Sequence, residues 1–176
     1  ARDAAARNSL GFRVEELAFA DRRGEAPFYV AEGYATSSLR AGFRPAQSVV
    51  SVTVDTIDAW CSRTSVTPAV IKIDTESTEP AVLEGAAATL ERARPWLLVE
   101  VLAGRVEEGL TRALESLGYA WYRIGEDVPY PARERIEGDP DHEHLMWLFT
   151  PDVPDSRFWP RVAEWRSALA RCSPLR

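Results

Sequence analysis

The sequence predicts an α/β fold with a mainly parallel sheet. Apolar, β-rich runs at residues 69–74 and 96–102 alternate with helical patterns at 79–92 and 105–117, the alternation that builds βαβ units. The first run ends in three carboxylates, Asp74, Glu76 and Glu79. In an α/β protein the carboxyl end of a buried strand is where ligands sit. A length of 176 residues suits one domain with a substantial core.

Taken in order, an alanine-rich segment from Arg2 to Leu10 predicts a helix, with Gly11 as its stop. The chain opens on Ala1 inside that helical pattern, so its start is expected to fall within a domain. Phe12 to Ala20 alternates partially and predicts a strand, ended by a turn at Asp21-Arg22-Arg23-Gly24. Pro27–Ala31 and Val49–Val54 are short β-rich runs, separated by a loop of small residues from Gly33 to Leu39. Asp55 or Thr56 can cap a short helix through Trp60. The helix over 79–92 puts Val82, Leu83, Ala86 and Leu90 on one face. The helix over 105–117 does the same with Val106, Leu110, Ala113, Leu114 and Leu117, and Gly118 stops it. Tyr119–Ile124 and Leu145–Thr150 predict the last two strands. Between them Gly125–Asp141, with Pro129, Pro131, Gly138 and Pro140, predicts a long surface loop. Beyond Pro151 and Pro154, Asp155 or Ser156 can cap a final helix with Phe158, Val162, Trp165 and Leu169 on one face. That helix is expected to dock on the domain; the alternative is a partner-binding helix.

Charge and cysteine content narrow the function classes. A net charge of −6 leaves no basic excess to displace counterions from a nucleic-acid backbone. Cys61 and Cys172 are too few and too far apart for a disulfide framework, so a reducing cytosol is the default. No run of about 18 apolar residues and no signal-peptide core occurs, so a soluble, cytoplasmic protein without a membrane partner is expected.

The passage Val70-Ile71-Lys72-Ile73-Asp74-Thr75-Glu76-Ser77-Thr78-Glu79-Pro80, followed by Ala81-Val82-Leu83-Glu84-Gly85-Ala86 and by Arg94-Pro95-Trp96-Leu97-Leu98-Val99-Glu100, resembles the FkbM family of S-adenosylmethionine-dependent methyltransferases. That family usually reads Ile-Lys-Ile-Asp-Val-Glu-Gly-x-Glu here, so Thr75 replaces a valine and Ser77 a glycine. Ala18-Phe19-Ala20-Asp21-x-x-Gly24, Thr36-Ser37-Ser38-Leu39 and Val52-Thr53-Val54-Asp55-Thr56-Ile57-Asp58 follow in the family's order. The resemblance covers residues 1–150 and leaves 151–176 as a C-terminal helical extension. It implies a Rossmann-like class I methyltransferase sheet of order 3-2-1-4-5-7-6, mostly parallel with an antiparallel last strand. It also implies S-adenosyl-L-methionine as cofactor and a small-molecule hydroxyl acceptor, sugar or polyketide-like. The sequence holds no Gly-x-Gly, the turn that cradles this cofactor. The family's first two strands are therefore expected to lie before Ala1, leaving an N-terminally truncated sheet with an open edge at Val70–Ile73. That edge, or the final helix, could join two copies.

Asp74, Glu76 and Glu79 are the candidate catalytic residues, with Asp74 and Glu76 orienting or deprotonating the acceptor hydroxyl. Their alternative is structural: Asp74 ends a strand, while Glu76 and Glu79 favour a helix N-terminus. By resemblance, Ala20 and Asp21 would bind the cofactor, with Asp21 accepting a hydrogen bond from the adenine amine; otherwise Asp21 is a turn residue. Glu100 inside an apolar strand either faces the substrate cleft or pairs with an arginine such as Arg105. Lys72 shares a strand face with Asp74 and can hold the acids in place. His142 and His144 would lie on one side of a strand that extended that far, but two ligands do not make a metal site, and the leading reading needs no metal. Ser37 and Ser38 have no nucleophile elbow around them. Two other readings compete: a non-catalytic remnant that packs on a partner, and a hydrolytic metal site at Asp74, Glu76 and Glu79.

Overall fold

Two sheets carry the protein in the computed structural model, which describes residues 2–32 and 36–172. The smaller sheet is a long hairpin, β2 (Gly24–Ala31) against β3 (Ala46–Asp55), with the two-residue β1 (Ala18–Phe19) parallel to the far end of β3. Gly33, Tyr34 and Ala35 of the expected small-residue loop lie outside the described residues. The larger sheet has the order β4-β5-β8-β6-β7, from β4 (Val70–Ile73), β5 (Trp96–Glu100), β6 (Ala120–Arg123), β7 (Ala132–Arg133) and β8 (Met146–Thr150).

A mainly parallel sheet is corrected by these pairings. Among the strands of the described residues, β4–β5 and β1–β3 are parallel, while β2–β3, β5–β8, β6–β8 and β6–β7 are antiparallel. Parallel neighbours need a crossover of a dozen or more residues, usually a helix. Residues 124–145 contain none, so β8 returns antiparallel between β5 and β6. The expected crossover over 79–92 is present and gives the one parallel pair of this sheet. The order β4-β5-β8-β6 matches the 4-5-7-6 portion of the expected order, and β4 is an edge.

Alternation along the strands builds two layers of core. Leu97, Val99, Trp147 and Phe149 face one way with Ile73, and meet Val82, Leu83, Leu90, Leu110 and Leu114. Those residues come from α3 (Glu79–Glu84), α4 (Ala87–Ala93) and α5 (Glu107–Leu114). Leu98, Tyr122 and Leu148 face the other way and meet Phe158 and Trp159 at the start of α6 (Phe158–Arg171). Arg166 of α6 donates to the Gly125 carbonyl and the Tyr130 hydroxyl. Docking therefore uses Phe158, Trp159, Val162 and Arg166, not the full expected stripe; Trp165 is 70% exposed.

Several boundaries move for local reasons. The first helix, α1 (Arg2–Arg7), ends well before Gly11: the Asn8 amide bonds to Ala4 and Ser9 turns to φ +52°. Of the strand expected over 12–20, only Ala18–Phe19 pairs. Thr56 does cap α2 (Ile57–Thr64), its hydroxyl accepting from the Ala59 amide. The helix over 79–92 breaks in two at Gly85–Ala86. A Cβ on Gly85 would stand 2.0 Å from the Ala20 carbonyl oxygen, so the break lets the helix meet the end of β1. The Asp58 amide takes the Gly85 carbonyl, and the Asp58 carboxylate accepts from the Ala88 and Thr89 amides that open α4. The loop over 125–141 is strapped down rather than free. It contains β7, buries Tyr130, Ile136 and Asp139, and ties Asp139 to Arg123 at 2.9 Å.

Candidate functional site

The strand β4 delivers the acidic passage. Its register against β5 pairs Ile73 with Val99, so the next residues along, Asp74 and Glu100, sit side by side at the carboxyl ends of the two parallel strands. Carboxylate oxygens of Asp74, Glu76 and Glu100 all lie within 4.8 Å of one another. Lys72, on the strand face of Asp74, forms an ion pair with it. Glu100 faces these acids and does not reach for Arg105, whose guanidinium lies over the Phe43 ring.

The turn after β4 is held in an uncommon shape. Glu76 has φ +57° and Ser77 φ +78°, two successive residues in a region that disfavours any side chain. Three side chains hold it. The hydroxyl of Ser38, a buried residue of the β2–β3 connection, donates to the Glu76 carbonyl at 2.7 Å. The Glu79 carboxylate accepts from the Thr75 amide at 2.8 Å and the Thr75 hydroxyl at 3.0 Å. The Thr78 hydroxyl donates to the Thr75 carbonyl. Glu79 is fully buried, with Oε2 unpartnered, and so fastens the turn from below.

Burial and crowding shape the acids' electrostatics. Glu100, 8% exposed with Oε2 unpartnered, is pushed up to about 7 by burial and then by Glu76, Asp74 and Glu79, against the pull of Lys72. Burial, with Asp74 and Glu79, also raises Glu76 above the ordinary carboxylate range, against Arg44. Like charges without enough counter-charge favour proton uptake.

Beside the cluster lies a cavity of about 390 Å³ between β1 and β4. Its walls include Phe19, Phe28, Leu39, Ile57 and Ile71, and Asp74 and Thr75 stand on its lining. Ala20, at the end of β1, is buried with its amide on the Asp55 carbonyl. Asp21 is exposed and pairs with Arg22. Asp55 itself is buried between Arg23 and Arg63. His142 and His144 are not on a common strand: β8 begins at Met146, and His142 turns at φ +57°.

The family's signature acids are thus assembled at one strand end, and residues 4–149 match the methyltransferase FkbM domain. The chain belongs to the FkbM methyltransferase family. No curated protein and no solved structure matches it. The FkbM glycine that Ser77 replaces is explained by the backbone, since φ near +78° is a conformation that glycine adopts at little cost. Sequence reading missed Ser38 as the residue that pins this turn, because its partner lies 38 positions away. It noticed Glu100 as a carboxylate in an apolar strand, but its neighbours follow only from the β4–β5 register.

Proposed function

We propose that this chain belongs to an S-adenosylmethionine-dependent O-methyltransferase that acts on a hydroxyl of a small molecule or glycan. The observation that carries the reading is the gathering of Asp74, Glu76 and Glu100 at the ends of β4 and β5, beside an apolar cavity, within a family of methyltransferases. The cavity's volume is within the range of small-molecule sites, and its apolar walls suit an adenosyl group. The fit does not extend to the cofactor's amino-acid end, for which the sequence holds no Gly-x-Gly. Ala20 and Asp21 are proposed on the adenine side.

When bound, S-adenosylmethionine supplies an electrophilic methyl group on a sulfonium. The chain's own part is to hold the acceptor hydroxyl in line and accept its proton. Asp74, exposed at the cavity, orients that hydroxyl. Glu76, with its raised proton affinity, is a better proton acceptor than an ordinary surface carboxylate. Glu79, buried and bonded to Thr75, keeps both in position. Among the described residues no helix is long and apolar enough to cross a membrane, which supports the proposed cytoplasmic location.

The test is methyl transfer from S-adenosylmethionine with an isotopically labelled methyl group to a panel of sugar and polyketide-like alcohols, using the protein at its full encoded length. Acceptor-dependent label in an ether linkage is the expected result. Label appearing only on nitrogen or carbon acceptors would overturn the assignment to hydroxyls.

A second reading is favoured by the outer edge of β4, where Val70 is 58% exposed, and by exposed Trp165 and Leu169 on α6. These surfaces suit a second copy of the chain or another protein partner, in a role that needs no chemistry.

A further inference from the structure

We propose that Asp74, Glu76 and Glu100 together bind one hard divalent cation, of the magnesium, manganese or calcium class. Their carboxylate oxygens lie within 4.8 Å of one another. Two oxygens on opposite sides of one ion are about 4.8 Å apart at a Ca–O distance of about 2.4 Å, so the three can share an ion with little movement. All the donors are oxygen, which selects hard cations over zinc or copper.

A second observation is independent of this spacing. Glu100 is more than nine-tenths buried, and its Oε2 has no hydrogen-bond partner. A buried carboxylate oxygen without a donor is costly, and among the described residues this carboxylate lies with those of Asp74 and Glu76. The counter-charge at hand is thin. Lys72 is exposed and already paired with Asp74, and Arg44, whose field reaches Glu76, is exposed as well. Neither is a buried partner for Glu100, whereas an ion among the three oxygens meets all of them at once.

The consequence for chemistry rests on the methyltransferase reading. With the ion bound, Glu76 is a ligand rather than the proton acceptor, and an acceptor hydroxyl that coordinates the ion would be more acidic than in water and held beside the cavity. Cation binding itself does not depend on that reading, and is measured without cofactor or acceptor.

The experiment is titration of Mn²⁺ into chelator-treated protein at its full encoded length, followed by calorimetry and by the loss of the free-ion electron paramagnetic resonance signal. One Mn²⁺ per chain is expected, displaced by Mg²⁺ or Ca²⁺. Glu100→Gln should weaken it at least tenfold, while Glu164→Gln, on the exposed face of α6, should leave it unchanged. Should Glu100→Gln fail to fold by circular dichroism, Asp74→Asn at its exposed position gives the same reading. Absence of saturable Mn²⁺ binding, or binding that neither Glu100→Gln nor Asp74→Asn weakens, would overturn the proposal. Methyl transfer that persists in chelator without Mn²⁺ binding would remove the cation and leave the methyltransferase reading standing.

Discussion

Ser77 occupies a backbone position built for glycine. Its φ of +78° follows another left-handed residue, and its hydroxyl is buried without a partner. A side chain in this region costs about 1–2 kcal/mol, against a smaller gain from restricting the unfolded chain. Ser77→Gly should therefore stabilise the protein by about 1 kcal/mol, seen as a rise in Tm of about 2–4 °C. An unchanged or lower Tm would mean that the turn is not strained as the backbone indicates. The strain has a use, because the same turn carries Glu76 back towards Asp74 and Glu100. The Glu76 side chain owes its place to Ser38 and Glu79, neither of which is adjacent to it in sequence.

Among the elements, α5 shows how a carboxylate can organise a helix start and a loop together. Glu107 accepts from the amides of Gly104, Arg105 and Val106, and from Gly138 across the loop. Burial works against its charge, but these amides outweigh it and hold the carboxyl below the ordinary glutamate range. A lowered pKa in the folded state contributes stability that is present above the unfolded value, near 4.5, and lost as pH falls through the folded value. Glu107→Gln should thus lower the urea midpoint most near neutral pH, with the gap to the parent closing as pH falls below the ordinary glutamate value and through the lowered folded one. A gap constant from pH 7 to pH 3 would assign the effect to geometry rather than charge. The elements also mark how far sequence reading reaches. The parallel β4–β5 pair and its crossover were legible from two apolar runs around a periodic segment. The break at Gly85 was not, because its cause is the approach of the Ala20 carbonyl from 65 positions upstream. The strand expected over 12–20 shrank to two residues, because a local alternation of apolar and charged side chains does not supply a pairing partner.

In the whole molecule, the candidate site lies where the two sheets approach each other. The outer edges of β4 and β1 flank the cavity, and of the acids Asp74 stands on its lining. The motif from Val70 to Pro80 carried both the family resemblance and the acid-bearing strand end, since it is written in contiguous residues. The mixed sheet was less legible: the loop over 125–141 and an antiparallel last strand were expected, but not that antiparallel pairings would outnumber parallel ones in the sheet. Glu100 joined the acids only through the strand register, which pairs positions 26 residues apart. The central claim is that the acids at the ends of β4 and β5 act on the acceptor rather than shape the strand. The most direct measurement compares kcat for Asp74→Asn and Glu79→Gln at saturating S-adenosylmethionine, in the protein at its full encoded length. Asp74→Asn should lower turnover by roughly a hundredfold or more with cofactor affinity little changed. Glu79→Gln, which keeps an oxygen for the Thr75 amide, should cost far less. Equal and small losses in both would contradict the account and move the chemistry away from this strand end.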